Sequence, residues 1–226
     1  RGAIASPMAE QVMCFIFALA KNVPHLLENK RHKQWERFMT MELYDRTVGI
    51  IGLGAVGGQV TRLAKGIGMR VIATEMAATR QGSNIWGVDE LYPGHALLEM
   101  LPESDFVVVS APLTTETRAM IGEKELRAMK PTAFLINVAR GKLINEPVLI
   151  KALKEGWIAG AGLDVFETEP LPADSELWEL PNVILSSHSS GSTANNPKLV
   201  GLFCQNLRRY LAGKQLINVV DKEKGF

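Results

Sequence analysis

Three ionisable side chains late in the sequence each follow an apolar, strand-like run, and their types suit acid–base chemistry on an anionic substrate. Arg140 follows FLINV, Glu169 follows AGAGLDV and His188 follows NVILSS. Arginine offers a planar, two-pronged donor for a carboxylate, and its charge polarises a neighbouring carbonyl. A carboxylate bonded to an imidazole fixes its tautomer and favours its protonated form, so a Glu169–His188 pair would act as a general acid and base.

Each of these residues also has an ordinary structural interpretation. A lone loop arginine is most often exposed, a lone loop glutamate is a surface acid, and an arbitrary histidine is most often a hydrogen-bonded structural residue. The position of Arg140 and His188 directly after strand-like runs favours the functional interpretation. For three further histidines, which lie in polar or helical-face contexts, the sequence supports only the structural one: His25, His32 and His95.

A glycine-rich turn precedes these residues in the chain. Gly52, Gly54 and Gly57 form the pattern G-x-G-x-x-G directly after the apolar run at residues 48–51 and directly before a helical pattern. In such turns the first glycine permits the tight bend, the second admits a pyrophosphate close to the backbone, and the third lets helix and strand pack. The pattern predicts a dinucleotide site, and a glycine turn that binds no dinucleotide is the alternative.

An acidic residue ends the second predicted strand. Glu75 follows residues 70–74 and lies 23 residues after Gly52. A carboxylate there accepts hydrogen bonds from both ribose hydroxyls and repels a 2′-phosphate, which favours NAD and makes NADP the less favoured cofactor. Thr79 and Arg80 lie just beyond and are candidates for binding that phosphate instead. Asp164, at the end of AGAGL, either caps a turn or holds the amide of a nicotinamide.

From residue 47 onward, short apolar runs alternate with helical patterns. This alternation predicts an α/β fold with a doubly wound, mostly parallel sheet of the Rossmann type. The carboxyl ends of parallel strands meet at one edge, so Arg140, Glu169 and His188 should lie together there. The predicted strands are TVGIIG, RVIATE, DFVVVS, FLINV, AGAGLDV and NVILS.

The sequence divides into a nucleotide-binding unit and a short tail. We assign residues 1–190 to the first, including a helical arm at residues 6–37 in which Ser6 caps a helix and Pro7 takes its first position. Residues 191–226 begin within a linker-like passage, SSGSTANN at residues 189–196, and contain a final amphipathic helix at about residues 197–212. The tail is expected to belong to a second domain.

Composition excludes several classes of protein. The 226 residues are 46% hydrophobic and 22% charged, as in globular proteins, and the net charge of +1 is too balanced for a nucleic-acid binder. The longest apolar run, residues 12–20, is about half of the ~18 residues that a membrane span needs. Two cysteines, Cys14 and Cys204, form no disulfide framework or metal cluster and fit a reducing cytoplasm.

The motifs taken together resemble one family, the D-isomer-specific 2-hydroxyacid dehydrogenases. The resemblance runs through nearly the whole chain, in the family's order and with similar spacing. VGIIGLGAVG resembles the dinucleotide turn and SAPLTTETRAMIG the adenine-side segment. Three further segments resemble those that bear the family's catalytic arginine, glutamate and histidine. In that order, they are MKPTAFLINVARGKLIN, LDVFETEPLP and NVILSSHSSGST.

The resemblance implies a role for each matching residue. Arg140 would bind the substrate carboxylate, His188 would donate or accept the proton, Glu169 would be its partner, and Asp164 would contact the nicotinamide carboxamide. Ala111 stands where many relatives have His, Cys or Thr, which weakens inferences about adenine contacts. No metal is implied. The full set of implied cofactor-binding residues is Gly52, Gly54, Ala55, Val56, Gly57, Glu75, Ala111, Pro112, Thr117, Val138, Asp164 and Gly191.

The implied activity is reversible hydride transfer between a nicotinamide and C2 of a small D-2-hydroxy or 2-oxo acid, as in glyoxylate/hydroxypyruvate reductases or phosphoglycerate dehydrogenases. The Glu–His pair argues against the formate dehydrogenase branch, where glutamine replaces the acid. Three alternatives stay open: an NAD(H)-sensing scaffold without turnover, like the related corepressors, an isolated cofactor-binding fragment, and a phosphite dehydrogenase.

Two expectations concern assembly. Family members begin with half of a substrate domain, and Arg1 falls where the family's chain crosses into the nucleotide domain, so this half is expected to be missing and the final helix to lack part of its packing surface. The arm at residues 6–37 resembles the family's dimer-forming element, which predicts a homodimer.

Overall fold

A single parallel sheet organises the protein. The computed structural model describes residues 2–75, 86–192 and 197–220, with Glu75 described by its backbone alone. Within these ranges seven strands form one sheet in the order β3-β2-β1-β4-β5-β6-β7, and every neighbouring pair is parallel. The strands are β1 (Thr47–Ile51), β2 (Arg70–Glu75), β3 (Glu90–Pro93), β4 (Phe106–Val109), β5 (Phe134–Asn137), β6 (Gly160–Leu163) and β7 (Val183–Leu185). The predicted doubly wound α/β fold is confirmed.

Helices cover both faces of the sheet, which is why its central strands are continuous apolar runs. All residues of β1 and β4 are buried. Ile50 and Val108 pack into a cluster with α1, whereas Ile51 and Val109 pack on the opposite face. The helices are α1 (Ala5–Ala20), α2 (Val23–His32), α3 (Ala55–Gly66), α4 (Leu97–Met100), α5 (Glu123–Ala128), α6 (Glu146–Lys154) and α7 (Pro197–Leu211).

The edge strand β3 was not predicted from the sequence. Its four residues, ELYP, carry a charge and a proline and are partly exposed, so they lack the apolar run that identifies the buried strands. It pairs with β2 from Ile72↔Glu90 to Glu75↔Pro93. Short, polar edge strands of this kind are common because they discourage further pairing.

The helical arm predicted at residues 6–37 consists of two helices, and its first helix starts differently from the prediction. Helix α1 begins at Ala5 after Ile4, so Ser6 and Pro7 lie inside its first turn and Ser6 is not the cap. Asn22 adopts the left-handed conformation with φ of 49° and lies between the end of α1 at Ala20 and the start of α2 at Val23. Helix α2 then ends at His32, before the positive φ of Lys33.

The last helix lies on the surface. No residue of α7 is buried, and its bounds agree with the predicted 197–212 to within one residue. Its exposed apolar side chains are Leu199, Val200, Phe203, Leu207, Tyr210 and Leu211. None of the helices in the described ranges is both long and apolar enough to cross a bilayer.

Candidate active site

Five loop segments meet at the carboxyl edge of the sheet. They follow β1, β4, β5, β6 and β7, which are consecutive neighbours in the strand order. The chain moves outward from β1 to β2 and β3 and then returns to β4 on the other side of β1. Ligands of open α/β sheets bind in the crevice that such a reversal creates. The sequence-predicted residues of all five loops therefore share one edge.

The glycine turn is built by close contacts that exclude side chains at two of its positions. Gly52 has a φ of 93°, and a Cβ there would lie 2.7 Å from the Cα of Ala111. A Cβ at Gly57 would lie 2.6 Å from the carbonyl oxygen of Gly52. The hydroxyl of Ser110 donates to that same carbonyl at 2.7 Å. Ser110 was missed by the sequence reasoning, although it directly follows a buried strand.

Gly54 is glycine for a different reason. No heavy atom lies within 4 Å of the position that its Cβ would occupy, so the space beside it is open. Ala55 and Val56 begin α3 directly after it. The first turn of a helix presents N–H groups without intrahelical acceptors, and these attract phosphate. The turn therefore fits a pyrophosphate that approaches Gly54 and the start of α3.

The other predicted cofactor residues have defined structural contacts. The Thr117 hydroxyl donates to the Pro112 carbonyl at 2.7 Å, and so it closes its own loop. Ala111 and Val138 are buried, and a Cβ on Gly191 would meet the Ile4 side chain at 3.1 Å. Direct contacts of these residues with a dinucleotide stay predictions. The Glu75 side chain, Thr79 and Arg80 lie outside the described residues.

The predicted acid–base pair is formed. Nδ1 of His188 lies 2.7 Å from Oε2 of Glu169, and the other carboxylate oxygen accepts the Phe166 N–H at 3.0 Å. The side chains are 48% and 34% exposed, so a substrate can reach the imidazole. Because the glutamate takes Nδ1, the second ring nitrogen, Nε2, is left to exchange a proton.

The charge state of Glu169 is set by its neighbours. Partial burial on its own would raise the pKa of this carboxyl, but hydrogen bonds from His188 and the Phe166 N–H outweigh it, and the pKa lies below its ordinary value. The positive charges of His188 and Arg140 act in the same direction. Glu169 is therefore ionised at neutral pH and accepts the proton of Nδ1.

Asp164 anchors the loop that carries His188. Its buried carboxylate accepts the Ser186 hydroxyl at 2.5 Å, the Ser189 N–H at 2.9 Å and the Ser190 N–H at 3.0 Å. Burial would raise the pKa of this carboxyl, yet these hydrogen bonds hold it below the ordinary value. The predicted contact with a nicotinamide amide stays a prediction. The anchoring role was missed, although the serines of SSHSS were visible in the sequence.

Asn137 shapes the turn that presents Arg140. Its side-chain oxygen accepts the Ala139 N–H at 3.0 Å and its amide donates to the Arg140 carbonyl at 3.0 Å. Asn137 is the buried last residue of β5, a polar position that could have been identified from the sequence. Among the described residues, no group of three or more His, Cys, Asp or Glu side chains is placed to hold a metal ion.

A glycine turn at the switch point of a parallel sheet, with an acid–base pair and an arginine at the same edge, defines a dinucleotide-dependent oxidoreductase. Comparison with known proteins narrows the class. The family model for the D-isomer specific 2-hydroxyacid dehydrogenase NAD binding domain matches residues 13–190. The chain belongs to this family, and its homologues named glyoxylate reductase and 2-hydroxyacid dehydrogenase support an oxidoreductase acting on CH–OH donors.

Individual relatives agree with this assignment. The chain is 41% identical over 229 residues to a glyoxylate reductase of Korarchaeum cryptofilum. The aligned region covers 98% of this chain and 68% of the relative. A family member from Aeromonas salmonicida superposes with a TM-score of 0.89 and 33% identity over 98% of this chain and 70% of that one.

A third relative corrects the expected cofactor preference. An NADPH-dependent glyoxylate/hydroxypyruvate reductase of Sinorhizobium meliloti, solved with NADP and sulfate, has a TM-score of 0.88 and 27% identity, covering 100% of this chain and 71% of that one. The expectation that NADP is the less favoured cofactor is therefore not upheld. A single acidic residue at the end of the second strand does not exclude the 2′-phosphate, because an arginine nearby in such folds can accommodate it.

Proposed function

We propose that the protein catalyses reversible hydride transfer between a nicotinamide dinucleotide and C2 of a small 2-oxo or D-2-hydroxy acid. The observation that carries this proposal is the 2.7 Å contact between His188 and an ionised Glu169, at the edge where the glycine turn and Arg140 also lie. An oxidoreductase for hydroxy acids needs a dinucleotide site, a carboxylate-binding group and a proton carrier, and the shared sheet edge supports assigning these tasks to the glycine turn, Arg140 and His188.

Arg140, His188 and Glu169 have different roles in the reduction direction. Bound dinucleotide supplies the hydride. Arg140 binds the substrate carboxylate and polarises the adjacent carbonyl, which favours attack at C2. Protonated His188 gives the proton on Nε2 to the oxygen on which negative charge develops. Glu169 stabilises the imidazolium before that transfer, and the oxidation direction reverses each step.

The dinucleotide would be held by Gly52, Gly54 and Gly57 together with the first turn of α3. The open space at Gly54 supports this placement. We propose that residues at and just beyond the end of β2 determine the preference between NAD and NADP. The candidates are Glu75, Thr79 and Arg80. Parallel fluorescence titrations with NADH and NADPH test this part of the proposal.

A substrate panel tests the activity itself. We favour glyoxylate and hydroxypyruvate because the Korarchaeum relative is named a glyoxylate reductase. The full-length protein would be assayed for NADH and NADPH oxidation with these acids and with 3-phosphohydroxypyruvate, and for NAD reduction with phosphite. Turnover of a 2-oxo acid supports the proposal. Dinucleotide binding without any such turnover would overturn it in favour of a sensing scaffold, and phosphite-specific turnover would overturn the substrate class.

The assembly is proposed to be a cytoplasmic homodimer formed through the N-terminal arm. Trp35 and Met39, on the segment after α2, are each 95% exposed, and a groove of about 910 Å³ lies between α2 and β7. Such an apolar surface beside a groove is suited to a second copy of the chain. Both cysteines are free thiols, which supports a reducing compartment. A monomer mass by light scattering at every concentration would contradict the dimer.

A further inference from the structure

The loop that carries Glu169 is supported from the segment that follows Arg140. The carboxylate of Glu146 accepts the backbone N–H of Glu167 at 2.9 Å. A Cβ added to Gly141 would lie 1.9 Å from the backbone carbon of Phe166, so the two main chains are in direct contact. Within the loop, Glu169 itself accepts the Phe166 N–H. The backbone on the N-terminal side of Glu169 is thus held at two successive residues.

Glu146 lies at the capped start of a helix. It is the first residue of α6, whose cap Asn145 accepts the Val148 N–H at 3.2 Å. The N–H of Asn145 donates in turn to the Ile121 carbonyl at 2.9 Å. Glu146 is partly buried, and its helix packs against α5. A hydrogen bond from such a capped helix start restrains the partner loop more than one from a mobile surface chain would.

We propose that Glu146 is a positioning residue for the acid–base pair. Its carboxylate fixes the peptide two residues before Glu169, and this keeps the Glu169 side chain within hydrogen-bonding distance of His188. Because residues 141–146 begin directly after Arg140, the same segment couples the substrate-binding arginine to the proton-transfer pair. The inference rests on the proposed function, in which these three residues act on one substrate.

The role requires an acceptor oxygen and does not require a charge. A glutamine at position 146 keeps such an oxygen and should preserve the contact, whereas alanine removes it. Glu167→Ala is the matched control, since it deletes a carboxylate from the same loop but leaves the N–H that Glu146 binds. The side chain of Glu167 is exposed.

The experiment compares these three variants in the full-length protein. For Glu146→Ala we expect kcat to fall roughly tenfold, because small displacements of catalytic groups are costly, while the Kd for NADH stays unchanged. Glu146→Gln and Glu167→Ala should keep kcat within about twofold of the wild type. Hydrogen exchange followed by mass spectrometry should show faster exchange at residues 166–169 in Glu146→Ala alone.

Defined results would overturn the proposal. They are an unchanged kcat or unchanged exchange in Glu146→Ala, or a glutamine variant as impaired as the alanine variant. Absence of wild-type turnover with every 2-oxo acid would instead contradict the proposed function, and the exchange measurement would still test the contact between Glu146 and the loop.

Discussion

The main-chain carbonyl of Asp164 accepts the N–H of His188 at 2.7 Å, while the carboxylate of the same aspartate binds the N–H groups of the next two residues. One buried residue thus fixes three consecutive peptides around the proton carrier. His188 itself has a φ of 51°, in the left-handed region. The position of the imidazole therefore depends on Asp164, the residue directly after β6.

Replacing Asp164 by asparagine should weaken this anchor. The amide group turns one acceptor into a donor that faces an N–H group, so the free energy of unfolding should fall by about 1–3 kcal/mol. Urea unfolding at pH 7 measures this change, with Ser186→Ala as a milder control that removes only one hydrogen bond. Equal stability of Asp164→Asn and the wild type would contradict the anchoring role.

The hydrogen-bonded Asp164 carboxylate also makes the free energy of unfolding depend on pH. Because the folded-state pKa of Asp164 is lowered, its stabilising contribution is complete above the ordinary value of about 4 and is lost as the pH falls through the folded value. The unfolding free energies of the wild type and Asp164→Asn should therefore converge as the pH is lowered from 6 toward 3. A constant difference over this range would count against the prediction.

Loss of the proton carrier should affect turnover and spare cofactor binding. In the full-length protein, His188→Ala should lower kcat by roughly 10²–10⁴-fold, since the substitution removes the imidazole that would deliver the proton. Glu169→Gln should give a smaller loss because the neutral amide stabilises the imidazolium less. The Kd for NADH, measured by fluorescence, should change little in both variants. Near-wild-type turnover in His188→Ala would refute the assignment.

Replacing Arg140 by lysine tests whether the planar, two-pronged geometry of the guanidinium contributes to substrate binding. Lysine keeps the charge but not the two-pronged geometry, so the KM for the 2-oxo acid should rise roughly tenfold or more while NADH binding is retained. Arg140→Ala should also reduce kcat, because the carbonyl is no longer polarised. Steady-state kinetics on the best substrate separate these two effects.

Two alanine variants in the glycine turn should behave in opposite ways. Gly57→Ala puts a Cβ 2.6 Å from the Gly52 carbonyl oxygen and should lower the Tm, whereas Gly54→Ala projects into open space and should not. Gly54→Ala should instead weaken dinucleotide binding, because its methyl group occupies the space left for the pyrophosphate. Thermal melts with and without NADH test both expectations. A normal NADH affinity in Gly54→Ala would contradict the proposed cradle.

The architecture could be predicted because burial on both faces leaves a clear pattern in the sequence. β1 and β4 are continuous apolar runs, and a Cβ at Gly52 or Gly57 would lie too close to neighbouring backbone atoms. β3 was missed because a short, partly exposed edge strand needs no such pattern. The break at Asn22 was also missed, because the sequence does not reveal that this residue adopts a positive φ.

The candidate site shows the same division. Arg140, Glu169 and His188 were predicted from their positions after strands, and the structure brings the last two into contact. The role of Glu146 could not be inferred, since it binds a backbone N–H 21 residues away and that register appears only in three dimensions. Asn137 and Ser110 were predictable in principle, as polar residues at the ends of buried strands.

The left-handed backbone of His188 restricts how this site can change during evolution. A functional replacement at this position must meet two requirements. Its side chain must transfer a proton, and its main chain must adopt a conformation that costs most residues about 1 kcal/mol or more. Glycine adopts this conformation freely, and asparagine and aspartate adopt it more readily than most residues. A lineage that abandons catalysis but keeps the fold is therefore expected to carry one of these three residues here, and β-branched residues should be rare.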